Sequence, residues 1–527
     1  MTLPLPPSPD LDHLKKQAKD LLRAAQQQDP AALARFHASL PAARALPPAQ
    51  LAAFPFRLHD AQSAIARAYG FASWADLRLY VAWLADGRGA AATERARWLK
   101  LVYGDSANPR HRTLAARLLR ETPALAAGDP YLACAIGDVD ALARETARDP
   151  AWVHRSGGPL AMPPLVAVTH SALSTHPTFA AGMERSVRHL LDHGADPNAR
   201  WTSADHPEWP LSPLYGAAGK HHSAALTQLL LEHGALPDDH ESLYHAQENS
   251  DDACTRLLLA AHATVAGTHA INRCLDFNRL DRLELLLRHA PGIGPELDRD
   301  RSLFHAILRG RSTAHLRALL AAGADPAARN KRGLTAGAYA LLMGREDLAP
   351  LLAPPGSQSV SSTRLERFVL ACTSGRTAEA RTLLAEDPTL TAQLTERQRR
   401  LLPALAEAGN LAGVRAMLAT GWPVDARAFW HATALNLAVF HGNAEMARLL
   451  LSYGARWDER HGYGGNVMGT LGYGSCAQDI DHEHGGDYLG CARTLLEHGM
   501  PLPPEDFEFS PELESYFHEL RLQAGPS

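Results

Sequence analysis

The chain is expected to be all-α, a stack of helix-turn-helix units carrying irregular insertions. The first observation is a helix-ending pattern that keeps returning, in Leu190–Asn198, Leu230–Ala235, Leu319–Pro326, Leu450–Ala455 and Leu495–Gly499. In each, a Leu-Leu pair closes an apolar helix face and a Gly sits where the chain needs positive φ. Where Ala-Asp-Pro follows, the helix cannot continue. The second is composition: Ala and Leu dominate, only six Ile occur among 527 residues, and no period-two alternation runs long enough for a strand.

The spacing makes the pattern an architecture. Markers read at 194, 234, 263, 290, 323, 355, 387, 421, 454 and 499 recur at a modal step of about 33 residues. Units open on short starts such as Ser212-Pro213-Leu214, Ser302-Leu303-Phe304 and Thr433-Ala434-Leu435. A Gly or Asn turn then leads into a second helix, clearest in Gly442–Leu450. From about residue 94 onward this pattern resembles a long bacterial ankyrin-repeat protein, with Thr433–Asp458 as its best unit. Cys274 stands where a small Ala belongs, and Ala263 and Ala290 replace the marker Gly. The resemblance implies an ankyrin solenoid and a protein–protein recognition role.

In chain order, residues 1–88 read as a small N-terminal helical module. Asp10 caps a helix with Leu11, Leu14, Ala18, Leu21, Leu22 and Ala25 on one stripe, and a second helix runs from Ala31 to Leu40. Asp60 starts a third, ended by Gly70; Ser73 starts a fourth, ended by Gly87. Tyr69–Trp74 resembles a module found ahead of some bacterial ankyrin arrays, which would seal the first repeat. Residues 85–93 look like a linker. A first repeat stack is expected over 94–353, a hinge or irregular finger over 354–363, and a second stack over 364–527. Ser510-Pro511-Glu512 starts a helix expected to cap the last repeat.

Net charge is −5, which gives no basic footprint for nucleic acid. The charge is uneven: residues 1–100 carry 13 Lys/Arg against 8 Asp/Glu, and residues 454–527 carry 4 against 13. Six Cys without a Cys-x-x-Cys pair read as reduced thiols of a cytosolic compartment. The start lacks a basic and an apolar leader region, and no 18-residue apolar run occurs. A soluble, cytoplasmic protein with no membrane partner is therefore expected; a homo-oligomer is possible but not indicated.

The chain has 27 His, most with a scaffold explanation. His193, His233, His289 and His498 fall in last helical turns, where the helix dipole favours them. His245 and His305 follow the Leu-aromatic pairs that start their units and are expected to pack structurally. The insert at 464–491 gathers Cys476, Asp479, Asp481, His482, Glu483, His484, Asp487 and Cys491. Cys476, His482, His484 and Cys491 are an alternative metal set, for a metal- or small-molecule-responsive regulator, but their spacing matches no short-paired zinc pattern. The Gly-rich stretch 462–475 lacks the strand and Gly-Lys-Ser/Thr of a phosphate loop. No catalytic constellation and no cofactor are expected.

What remains is surface. Trp201, Trp209, Trp430, Trp457 and Tyr463 fall in or beside the fingers between units, with Arg200 and His206 nearby. Trp, Tyr and Arg dominate interface hot spots, so these seven are the candidate protein-binding residues on a concave finger and inner-helix face. Replacing both Trp201 and Trp209 by Ala is expected to weaken a partner by about 2 kcal/mol or more.

Overall fold

The computed structural model describes residues 3–6, 8–85, 91–104, 109–203, 208–331, 333–352, 363–476, 486–504, 507 and 509–524. Every regular element named among them is helical. Isolated antiparallel bridges pair Gly157 with Met162, Arg329 with Thr335 and Arg427 with Thr433 across finger turns. Among the described residues the fold is all-α, built of consecutive helix pairs. No helix among the described residues is long and apolar enough to cross a membrane. The chain divides into two compact units, one of residues 1–210 with 514–527, the other of residues 211–513.

In the first unit, Asp10 accepts from His13 N at 2.8 Å and starts the helix Leu11–Gln26. Its stripe buries Leu14, Ala18, Leu21 and Ala25. Helices Pro30–Ser39, Leu58–Ala68 and Trp74–Ala85 follow, and Phe36 stacks on Phe56 at 4.1 Å in the core. The next helix, Ala91–Tyr103, begins inside the stretch read as a linker, whose residues 86–90 lie outside the described set. Trp98 on that helix is fully buried, because its indole N–H reaches Ala115 O at 3.0 Å. Helix pairs Pro130–Ile136 with Val139–Arg148, and Pro164–Thr169 with Ala180–Asp192, complete the run. The helix Pro511–Ala524 follows Ser510, whose N–H donates to Ser475 Oγ at 3.1 Å. From Glu514 onward it belongs to the first unit, where Arg78 Nη2 meets Glu514 Oε1 at 2.5 Å.

The second unit stacks helix pairs from Tyr215–Lys220 with Ala224–Glu232 to Val467–Cys476 with Tyr488–Glu497. The hinge reading of 354–363 falls, except for Thr363, outside the described residues. Gly194, Gly234, Gly323, Gly421, Gly454 and Gly499 all take φ between +83° and +97°, as the marker pattern requires. The other markers differ. The left-handed residue of the third unit end is His262, at φ 65°, not Ala263, whose N–H closes on Leu258 O at 2.9 Å. Ala290 has φ −129° and the reversal moves to Gly292, while Asp387 is extended. The His residues of the last turns do more than sit in a dipole. His193, His233, His289 and His498 each turn Nδ1 onto the carbonyl four residues back, at 2.7–2.9 Å, supplying a donor to a helix-end acceptor.

Consecutive units meet where their internal turns converge. Asn410 Nδ2 donates to Thr373 O at 3.0 Å and to Met343 O at 3.4 Å, while its Oδ1 caps Gly413 N at 2.9 Å. Gly344, at φ 71°, belongs to the same junction, and a Cβ there would stand 2.1 Å from Thr373 O. One side chain thus ties three helix pairs. Asn410→Ala, which strands the cap and both carbonyls, is expected to lower stability by about 2 kcal/mol, read from the urea midpoint. A shift below about 0.5 kcal/mol would mean that water replaces the amide.

Candidate interaction surfaces

The finger residues separate into two places. In the first unit, Trp201 is half-buried: its indole N–H donates to Leu160 O at 3.0 Å and its ring packs edge-on to His170 at 6.3 Å. Arg200 is exposed and reaches Pro210 O at 3.5 Å. Trp209 is 56% exposed. His206 lies outside the described residues.

In the second unit two neighbouring fingers are joined. Trp430 takes φ 50°, and its carbonyl accepts from Gly462 N at 2.7 Å. That approach needs glycine, since a Cβ on residue 462 would stand 2.7 Å from Trp430 O. The Trp430 ring then lies 5.1 Å from His461 and 5.5 Å from Tyr463. Arg427, which sequence reasoning passed over, ties the same fingers by donating to His431 O at 3.0 Å and Arg460 O at 2.5 Å, and by pairing with Glu459. Burial pushes His461 below its ordinary value. Tyr463 stands 82% exposed on this tied base. Trp457 is half-buried, and its carbonyl accepts from Val467 N at 3.3 Å.

The alternative metal set is only partly visible, because His482 and His484 lie outside the described residues. Cys476 is exposed and Cys491 fully buried. Burial, then Asp487, push the Cys491 thiol up to about 12, away from the thiolate that binds metal. Among the described residues no group of three or more His, Cys, Asp or Glu is placed to hold a metal ion.

A third place is one the sequence did not announce. His245 bonds Glu248 at 2.9 Å and pairs with Glu241 at 3.3 Å. Arg273 reaches the same Glu248 oxygen at 2.5 Å and Asp276 at 3.5 Å. Asp276 also accepts from His305 Nε2 and Arg309 Nε, each at 2.8 Å, and Arg309 continues to Glu407 at 2.6 Å. Tyr215 packs edge-on to His245 at 5.3 Å, from a helical segment wound one residue wide. Burial opposes ionisation of Asp276, but His305, Arg309 and Arg273 outweigh it and hold the carboxyl at about 2. The charges satisfy one another along successive first helices, which makes a rigid polar strip. The available signal was the shared register of His245 and His305, with acids at 248 and 276.

Residues 402–451, which contain the Asn410 junction and Trp430, match the family model for ankyrin repeats in many copies. That stretch is similar to ankyrin repeats. The match spans the helices from Leu402 to Leu451 on both sides of the Trp430 finger. Among solved structures, the human ASB11 ankyrin repeat domain is similar at 20% identity, with 44% of this chain and 100% of that chain covered and a TM-score of 0.33. No curated protein matches the sequence.

Proposed function

We propose that the chain is a non-catalytic scaffold or adaptor that binds another protein through its finger and inner-helix surfaces. The observation that carries this is Tyr463, a large amphipathic ring exposed over four-fifths of its surface yet seated on Trp430 and His461. An aromatic held in place loses little side-chain entropy on docking and offers large apolar area. The Arg427 bonds keep that base fixed. The repeats of residues 402–451 add the general expectation that such arrays recognise proteins. In the first unit Trp209 is the corresponding exposed anchor, whereas Trp201 is already engaged with Leu160.

The test begins with co-purification from the native host and mass spectrometry, followed by titration of the captured protein. Tyr463→Ala is expected to weaken that complex by about 2 kcal/mol, roughly thirty-fold, with far-UV circular dichroism unchanged. Trp209→Ala is expected to act in the same sense. Full affinity in both variants would overturn the reading. Loss of helicity with loss of binding would assign the rings to the scaffold instead.

A further inference from the structure

A cavity of about 570 Å³ lies in the first unit. One wall is the chain's own Leu3-Pro4-Leu5-Pro6, which carries no regular secondary structure; the opposite wall includes Tyr69, Tyr80, Leu84 and Arg117. The aromatic wall is fixed before any ligand arrives. Tyr69 OH donates to Gln17 Oε1 at 3.0 Å, and Tyr80 OH to Glu121 Oε2 at 2.5 Å. Arg117 lies 3.6 Å from the Phe71 ring centre and donates to Glu121 and to Gly70 O at 2.8 and 3.0 Å.

The segment against this wall is lightly held. Leu3 N donates to Ala68 O at 2.7 Å, yet Leu3 is 48% exposed, Pro4 and Pro6 are exposed, and Leu5 is half-buried. Its chemistry is specific all the same. Alternate prolines fix φ and remove two N–H groups, so the segment is extended before it docks and loses little entropy in doing so. Proline-fixed chain lying on an aromatic-lined groove is the physical basis of proline-rich peptide recognition.

We propose that the groove along which Leu3–Pro6 lies, and of which this cavity is the unfilled part, is a receptor for a proline-rich extended segment of a partner protein, and that Leu3–Pro6 is the resident copy which such a segment displaces. A tethered copy competes at an effective concentration on the order of 1 mM, so it masks the site from a free peptide of similar intrinsic affinity. The mask is removable without touching the wall, because the capping Asp10 of the first helix lies beyond the segment.

The test uses the full chain with Leu3→Gly, Pro4→Ser, Leu5→Gly and Pro6→Ser, titrated by fluorescence anisotropy with a labelled peptide spanning residues 3–9. The substituted chain is expected to bind at least tenfold more tightly than the parent. A peptide with its four prolines changed to alanine is expected to bind the substituted chain at least tenfold more weakly. Leu3→Ser with Leu5→Ser, a milder release of the segment, is expected to give an intermediate gain. The proposal is overturned by absence of saturable binding to the substituted chain while its helicity equals the parent's. It is equally overturned by equal affinity of the alanine peptide, or by parent and both variants binding alike.

Discussion

Arg282→Ala is expected to remove about 4 kcal/mol of stability, the largest single loss anticipated outside the apolar core. Arg282 is only 2% exposed, on the helix Leu280–His289, and no carboxylate pairs with it among the described ion pairs. Its guanidinium instead spans four carbonyls: Ala246 and Gln247 receive Nη1 at 3.2 and 3.0 Å, Asn249 and Asp251 receive Nη2 at 3.0 and 2.9 Å. Ala246 and Gln247 lie where the first helix of that unit, Ser242–His245, gives way to a 3₁₀ turn at Ala246–Glu248, and Asn249 and Asp251 follow in the irregular stretch before the helix Ala253–Ala260. A planar fork with separated donors matches this set; an ammonium does not. Arg282→Lys should therefore recover only part, leaving a loss of about 2 kcal/mol. Urea unfolding followed at 222 nm reads both values. If alanine costs under about 1 kcal/mol, solvent has taken over the carbonyls and the clamp is dispensable.

Stability is expected to fall on both sides of a window near pH 4.5–6.5, through the polar strip of the second unit. Burial alone would lower the pKa of His245, but hydrogen bonds to Glu241 and Glu248 outweigh it and raise the imidazole to about 9. A raised pKa means that the folded state holds its proton more tightly than the unfolded chain. The contribution is thus complete below the unfolded value near 6.5 and is lost as pH rises through 9. For this largely buried group the loss is on the order of 3 kcal/mol. Asp276, held at about 2, works in the opposite direction: its contribution is present above the unfolded value near 4 and disappears as pH falls toward 2. Glu248 is lowered as well and adds to the acid limb. The check is unfolding free energy from pH 5 to 9.5 for the parent and His245→Gln. The variant should be weaker at pH 6 and should lose much less on going to pH 9. Equal alkaline slopes in the two proteins would rule out His245 as the source.

Local chemistry determined the helices and their ends. Asp10 and Thr433 hold the N-cap positions their side chains suit, whereas Asp60, expected to start its helix, stands in the first turn of Leu58–Ala68 and accepts from Arg57 N; Gly at 194, 234, 323, 421, 454 and 499 supplies the positive φ that ends each unit. Both follow from contacts within a few residues, so the linear pattern contains them. The turn at His262 obeys the same local spacing: it stands three residues after Leu259, as Gly194 does after Leu191, with His in place of Gly, and Ala263 closes on Leu258 as Ala195 does on Leu190. Tertiary structure decided the rest. Arg282 shares a helix face with Leu285 and Leu286, and its charge is tolerated there because a segment some 35 residues earlier offers carbonyls to it. His245 and His305 were legible as unit starts but not as charge partners, since their acids come from neighbouring units or from across a turn. The Trp430 triad likewise needs Gly462 to bring one finger within 2.7 Å of the next. Backbone periodicity is written into consecutive residues. Burial of a charge, and the pairing that makes it tolerable, depend on which distant groups the stacking brings into reach.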